Sequence, residues 1–179
     1  MPRLFTGLAV PQAVAGALRA WQGGLPGARW IEPGDFHVTL RFLGDVEAPV
    51  ADDVVEALSE MRARPALTVT LDGLGLFGGD KPRALYASVV AAPALMDLQA
   101  EQERLVRRAG LEPERRKFTP HVTLARLRRD ATPEATAMYL SQAPVFVPLS
   151  FDVGRVTLFS ARESTGGGPY VAEAEFPFA

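Results

Sequence analysis

The chain contains two histidines, His37 and His121, and both stand in the string His-Val-Thr-Leu, 84 residues apart. An unperturbed imidazole titrates near ~6.5, so at neutral pH one ring can take a proton while another gives one. In a strand alternate side chains share a face. His37 therefore points with Thr39, and His121 with Thr123. If the chain brings both strings to one cleft, two imidazoles and two hydroxyls face one ligand. That set suits cleavage of a phosphate ester. One ring activates water, the other protonates the leaving oxygen, and the hydroxyls donate hydrogen bonds to the non-bridging oxygens as charge builds there.

The ordinary reading of each residue is weaker than this one. A single histidine in a strand is usually a polar residue with a local partner, and threonine is a common strand former. Recurrence of the whole string favours a shared site. A zinc site would need a carboxylate such as Asp35 or Asp45 besides the histidines, and no metal-type spacing is present. Neither lysine, Lys81 or Lys117, stands in a Lys-x-Asp-Gly context, and there is no Gly-x-x-x-x-Gly-Lys loop, which argues against nucleotide-dependent ligation. No metal and no cofactor is expected.

The elements that must position these residues can be read from periodicity. Residues 4–10 predict a strand. Pro11 opens a helix whose apolar face is Val14, Ala17, Leu18 and Trp21. A strand over 36–43 carries His37, a helix follows over 50–61, and alternation from Leu67 predicts a strand ending near Phe77. The order then repeats: strand 85–90, helix 93–109, strand 119–127 carrying His121, a helix from Thr132-Pro133 to about Ser141, and strand 147–159. A turn over 166–169 leads to a last strand near 170–176. Leu74-Gly75-Leu76-Phe77 matches Val156-Thr157-Leu158-Phe159 at an offset of 82. The expectation is one domain, residues 1–179, built of repeats over roughly 3–78 and 83–160 related by a pseudo-twofold axis.

Composition narrows the class. With 47% hydrophobic residues, 179 positions supply a core for one domain without staples. The absence of cysteine removes disulfides, thiolate ligands and a cysteine nucleophile. The first apolar run is too short for a signal segment, and nothing is long enough to span a bilayer, so a cytoplasmic protein is expected. The net charge is −2, but residues 101–130 hold nine basic and five acidic side chains, a local +4 around His121. Nearly all of the positive charge is arginine, which can pair with phosphate through two parallel hydrogen bonds.

At these residues the chain resembles the two-histidine (2H) phosphoesterases, which carry a duplicated His-x-Thr-x motif, and in particular the RNA 2′,3′-cyclic phosphodiesterases, also called the 2′–5′ RNA ligase family. The likeness includes Arg3-Leu4-Phe5, Phe36-His37-Val38-Thr39-Leu40-Arg41-Phe42-Leu43-Gly44, Pro120-His121-Val122-Thr123-Leu124-Ala125-Arg126, Leu158-Phe159 and the glycine-rich turn before Tyr170. It implies an α+β fold of two lobes, with antiparallel sheets around a central cleft. It implies hydrolysis of a 2′,3′-cyclic phosphate at an RNA end to a 2′-phosphomonoester, with His37 as proton donor and His121 as proton acceptor. The reverse reaction would be 2′–5′ ligation. Thr39, Thr123 and Arg126 would bind substrate. RNA with a cyclic phosphate end is the expected partner, tRNA halves being one form of it, and a monomer away from membranes is the expected state. Strict alternation places Arg126 on the face opposite His121 and Arg41 on the face of His37, so Arg126 reaches the site only if the strand bulges after Leu124. Phe42, Phe118 and Tyr170 are candidates for stacking on a base or for the core. The other readings are a 2H enzyme for a different small cyclic nucleotide or oligonucleotide end, and a non-catalytic module that binds RNA ends.

Overall fold

Proline marks the start of every helix. In the computed structural model, which describes residues 3–161 and 168–179, α1 (Gln12–Leu18) follows Pro11 and α2 (Ala48–Leu58) carries a proline in its first turn. The longer α3 (Pro93–Arg108) and α4 (Pro133–Gln142) begin on the proline itself. A first-turn proline forfeits no hydrogen bond, because its missing N–H has no intrahelical acceptor. Thr132 caps α4 as expected, its hydroxyl accepting from the Ala135 N–H at 3.1 Å.

The strands are β1 (Arg3–Ala9), β2 (Ala28–Trp30), β3 (His37–Asp45), β4 (Leu67–Phe77), β5 (Ala84–Val89), β6 (His121–Leu127), β7 (Leu149–Val153), β8 (Arg155–Ser160) and β9 (Val171–Pro177). They form one antiparallel sheet in the order β7-β4-β5-β6-β3-β1-β8-β9, with β2 also paired to β6. Two four-stranded halves can be distinguished, β7-β4-β5-β6 and β3-β1-β8-β9. Between β3 and β6 the paired residues are Val38 and Val122 alone. Beyond that pair the halves splay apart, so the expected pair of sheets exists as two wings sharing a hinge line.

Two elements depart from the sequence reading. The strand expected over 147–159 is interrupted at Gly154, and its parts go different ways: β7 pairs with β4, and β8 pairs with β1 and β9. The three-residue β2 was not foreseen, being too short to carry a period. Of the turn expected over 166–169, residues 166 and 167 lie outside the described residues.

The third strand of each repeat crosses to the opposite wing. β4 pairs with β5, and β8 with β1. Each wing is therefore made from both repeats. The larger core cluster joins Leu8, Leu18, Val38, Leu71, Leu98, Val122 and Leu124, drawn from both halves. The smaller one gathers Leu4, Val54, Leu58, Leu105 and Leu158 around α2 and α3.

A buried carboxylate fastens α3 to the chain entering β4. Glu101 is 1% exposed and accepts from Arg62 Nε at 3.0 Å, from Arg104 Nη2 at 3.5 Å and from Arg64 Nη2. Removing one member of such a group strands charge in a poorly solvated place. Glu101→Ala is expected to lose on the order of 3 kcal/mol in chemical denaturation; a loss below about 0.5 kcal/mol would mean the cluster behaves like a surface ion pair.

Candidate active site

The two histidines flank the hinge of the sheet. Val38 and Val122 are paired and both are fully buried. Continuing that antiparallel register sets His37 opposite Thr123 and Thr39 opposite His121. All four side chains stand on the face away from the valines and line one cleft of about 360 Å³.

Each ring is held in the same way. His37 Nδ1 donates to the Asp35 carbonyl at 2.9 Å, and His121 Nδ1 donates to the Thr119 carbonyl at 2.6 Å. In both cases the acceptor lies two residues upstream. This fixes the tautomer and turns Nε2 toward the cleft. Thr39 Oγ1 lies 3.0 Å from His37 Nε2.

Each ring also rests on aromatics. Phe5 and Phe159 pack on His37, with ring centroids at 4.7 and 5.7 Å, and the Tyr170 edge meets it at 5.1 Å. Phe77 and Tyr86 pack on His121 at 4.8 and 5.3 Å. Phe77 and Phe159 are the residues matched by the 82-residue offset. Because the third strands cross over, the first repeat supplies the phenylalanine under His121 and the second supplies the one under His37. Tyr86 reaches its place by lying across Gly75, where a Cβ would come within 2.5 Å of its Cζ.

A bulge brings Arg126 into the site. Along β6, Ala125 is opposite Leu85 while Thr123 is opposite Tyr86, so Leu124 is an extra residue. The alternation resets there: Leu124 and Ala125 are both buried, and Arg126 returns to the face of His121 and lines the cleft. β3 has the repeat-related bulge, with Arg41 opposite Thr6, Thr39 opposite Gly7 and Leu40 extra. That bulge removes Arg41 from substrate. Its guanidinium is only 6% exposed and is occupied by Glu103 and the carbonyls of Phe42 and Glu112. Both bulge carbonyls are satisfied by glutamines, Gln99 Nε2 donating to Leu40 O at 3.4 Å and Gln22 Nε2 to Leu124 O at 3.2 Å.

Chain direction alone gives no sign of these devices, and strict alternation misplaces both arginines. The sequence also did not reveal Arg83, Lys117 and Phe77 as part of the cleft wall. The match of Phe77 with Phe159 was the one available signal for the aromatic platforms. Of the three aromatic candidates, Phe42 and Phe118 line the cleft and Tyr170 lies behind it. Among the described residues, no group of three or more His, Cys, Asp or Glu side chains is placed to hold a metal.

The electrostatics favour an anion. Burial pushes His37 down to about 4, and the positive charges of His121 and Arg126 add to the shift against the opposing hydrogen bond to Asp35. His121 is also lowered, by burial first and by Arg126 after it. Arg126 thus acts on both rings, and its Nε is buried with no hydrogen-bond partner. Its cross-strand neighbour on β2 is Arg29, another cation.

The decisive comparison covers most of the chain: the family model of the 2′-5′ RNA ligase superfamily matches residues 10–165. The chain belongs to that superfamily. The RNA 2′,3′-cyclic phosphodiesterase of Aeropyrum pernix is 40% identical over 100 residues, 55% of this chain and 56% of that one. Its counterpart in Thermotoga maritima is 28% identical over 154 residues, 85% of this chain and 80% of that one. The chain spans about half or less of the length of several such relatives (56%, 33% and 55%). Among solved structures, Escherichia coli LigT complexed with 3′-AMP superposes with a TM-score of 0.76 at 25% identity, covering 99% of this chain and 98% of that one. This member of the superfamily therefore has the LigT architecture around its paired histidines.

A neutral His37 in the empty cleft cannot act as an acid until an anion enters and raises its pKa. In an NMR titration of the free protein the His37 ring is expected to titrate at about 4, and inorganic phosphate is expected to move it upward. A free value at the ordinary 6.5, or no response to phosphate, would mean that the ring is solvated and away from the anion site. The sign for stability follows: between pH 6.5 and about 4 the unfolded chain takes up the proton first, so stability falls as pH drops through that window.

Proposed function

We propose that the protein opens 2′,3′-cyclic phosphates at RNA ends to leave 2′-phosphomonoesters. The observation that carries this reading is the pair of imidazoles, each pinned at Nδ1 by a backbone carbonyl, presenting Nε2 to one cleft beside Arg126. His121 Nε2 takes a proton from water as the oxygen attacks phosphorus. The bond from phosphorus to O3′ breaks, and protonated His37 delivers its proton to that oxygen. The substrate's own negative charge raises the His37 pKa, so the acid is formed by binding. Thr39, Thr123 and Arg126 stabilise the charge on the non-bridging oxygens. A 5′-hydroxyl in place of water gives a 2′–5′ phosphodiester by the same steps. RNA ends, tRNA halves among them, are the proposed partners. Both half-sites lie on one chain, which supports a monomer. The absence of cysteine is compatible with a cytoplasmic setting, and among the described residues no helix is long and apolar enough to cross a membrane.

The test is hydrolysis of a cyclic mononucleotide and of a short RNA with a cyclic phosphate end, in chelator, with products resolved as 2′- or 3′-phosphates. Wild type is expected to release the 2′-phosphate, and His37→Ala and His121→Ala each to lose at least about 10²-fold in kcat. A 3′-phosphate product would reverse the leaving group. Turnover that survives both substitutions, or that requires added metal, would overturn the two-histidine mechanism. Turnover of the mononucleotide alone would redirect the assignment to small cyclic nucleotides, and RNA binding without turnover to an end-binding module.

A further inference from the structure

Tyr170 touches both partners of the phosphate without lining the cleft. Its hydroxyl is hydrogen bonded by the Arg126 guanidinium, leaving Arg126 Nε without a partner. Its ring meets His37 edge-on, at 5.1 Å and 87°, and meets Phe5 at 5.2 Å and 85°. The residues of the cleft wall include His37 and Arg126 but not Tyr170.

The backbone that carries Tyr170 is clipped to the segment that orients His37. The Tyr170 N–H donates to Asp35 Oδ1 at 3.2 Å, while the carbonyl of the same Asp35 accepts from His37 Nδ1. Gly168 makes the close approach feasible. Its φ is +92°, and a Cβ there would stand 2.5 Å from Asp35 Oδ2. Arg29 Nη2 donates to the Gly168 carbonyl at 3.2 Å. The chain entering β9 is thus held against β2 and against the turn before β3 at once. One aspartate links the tautomer of His37 to the location of Tyr170.

We propose that Tyr170 is a positioning residue: from behind the cleft it holds the Arg126 guanidinium toward the phosphate, and the contact of Gly168 and Tyr170 with Asp35 sets its place. This rests on the reading of the cleft as a phosphate site. An arginine left to itself samples many rotamers, and immobilising one costs side-chain entropy at each binding event. A hydroxyl partner removes that cost beforehand and leaves the remaining guanidinium N–H groups for the anion. Charge-assisted bonds of this kind are the stronger class.

The test is a double-mutant cycle between Tyr170→Phe and Arg126→Ala, read by inorganic phosphate affinity and by kcat and KM on a cyclic phosphate substrate. Phenylalanine keeps the ring on His37 and Phe5 and removes only the hydroxyl, and a thermal melt of each variant checks that the fold is intact. Tyr170→Phe is expected to weaken phosphate binding and kcat/KM by about tenfold. In the Arg126→Ala background the same change is expected to cost less than about twofold, because the hydroxyl acts through the arginine. Wild-type phosphate affinity in Tyr170→Phe, or an equal loss in both backgrounds, would overturn the proposal. So would failure of wild type to bind phosphate. If phosphate binding shows the expected coupling while no cyclic phosphate is turned over, the role of Tyr170 stands and the assigned reaction falls.

Discussion

Val38 and Val122 are hydrogen-bonded neighbours at the one point where the wings of the sheet join, and both side chains are sealed in the core. Side chains alternate along a strand, so burying these valines turns the residues on either side to the opposite face. The residues on either side are His37 and Thr39, His121 and Thr123. A strand slip by one residue would bury the imidazoles and expose the valines, a cost that pins the register. The splay of the wings beyond this pair opens space directly over the four polar side chains. Register, cleft and site composition therefore share one origin, and the catalytic geometry is protected by the same apolar burial that stabilises the fold.

The two bulges complete the site by breaking alternation at the same step in each repeat, with different results. On β6 the reset brings a guanidinium to the cleft; on β3 it commits one to Glu103 and nearby carbonyls. The repeats are alike in backbone and unlike in charge. The asymmetry extends to the rings: His37 is enclosed by three aromatic side chains and His121 meets two. Two nearly identical strings thus produce two unequal imidazoles, as a reaction needing one acid and one base requires.

Much of this was legible in the sequence, and the exceptions have physical reasons. The helices were legible because prolines mark their starts and apolar residues recur at helical spacing. The His-Thr pairs were legible because a four-residue string recurs. The bulges were not, since Leu124-Ala125 looks like ordinary strand and the group that satisfies the displaced carbonyl, Gln22, lies far away in the chain. β2 has three residues and no period. The break at Gly154 could not be foreseen from hydropathy, because the residues on both sides suit a strand and only the change of partner separates them. Tyr170 read as core or as a stacking surface, and its hydroxyl contact depends on a β9 approach that no local pattern encodes.

The crossing of β4 and β8 has a consequence for how the molecule is held as a whole. Neither repeat can fold by itself around its own histidine, because the phenylalanine under each ring belongs to the other repeat. This is the arrangement that would result from joining, end to end, two copies of a domain-swapped homodimer. The cleft corresponds to the former dimer interface, and the histidines sit on its axis. Fusion ties both copies into one chain, so the site no longer depends on protein concentration, and each half is free to diverge. The unequal rings and the single cleft-facing arginine are differences that a symmetric pair of identical chains could not have carried.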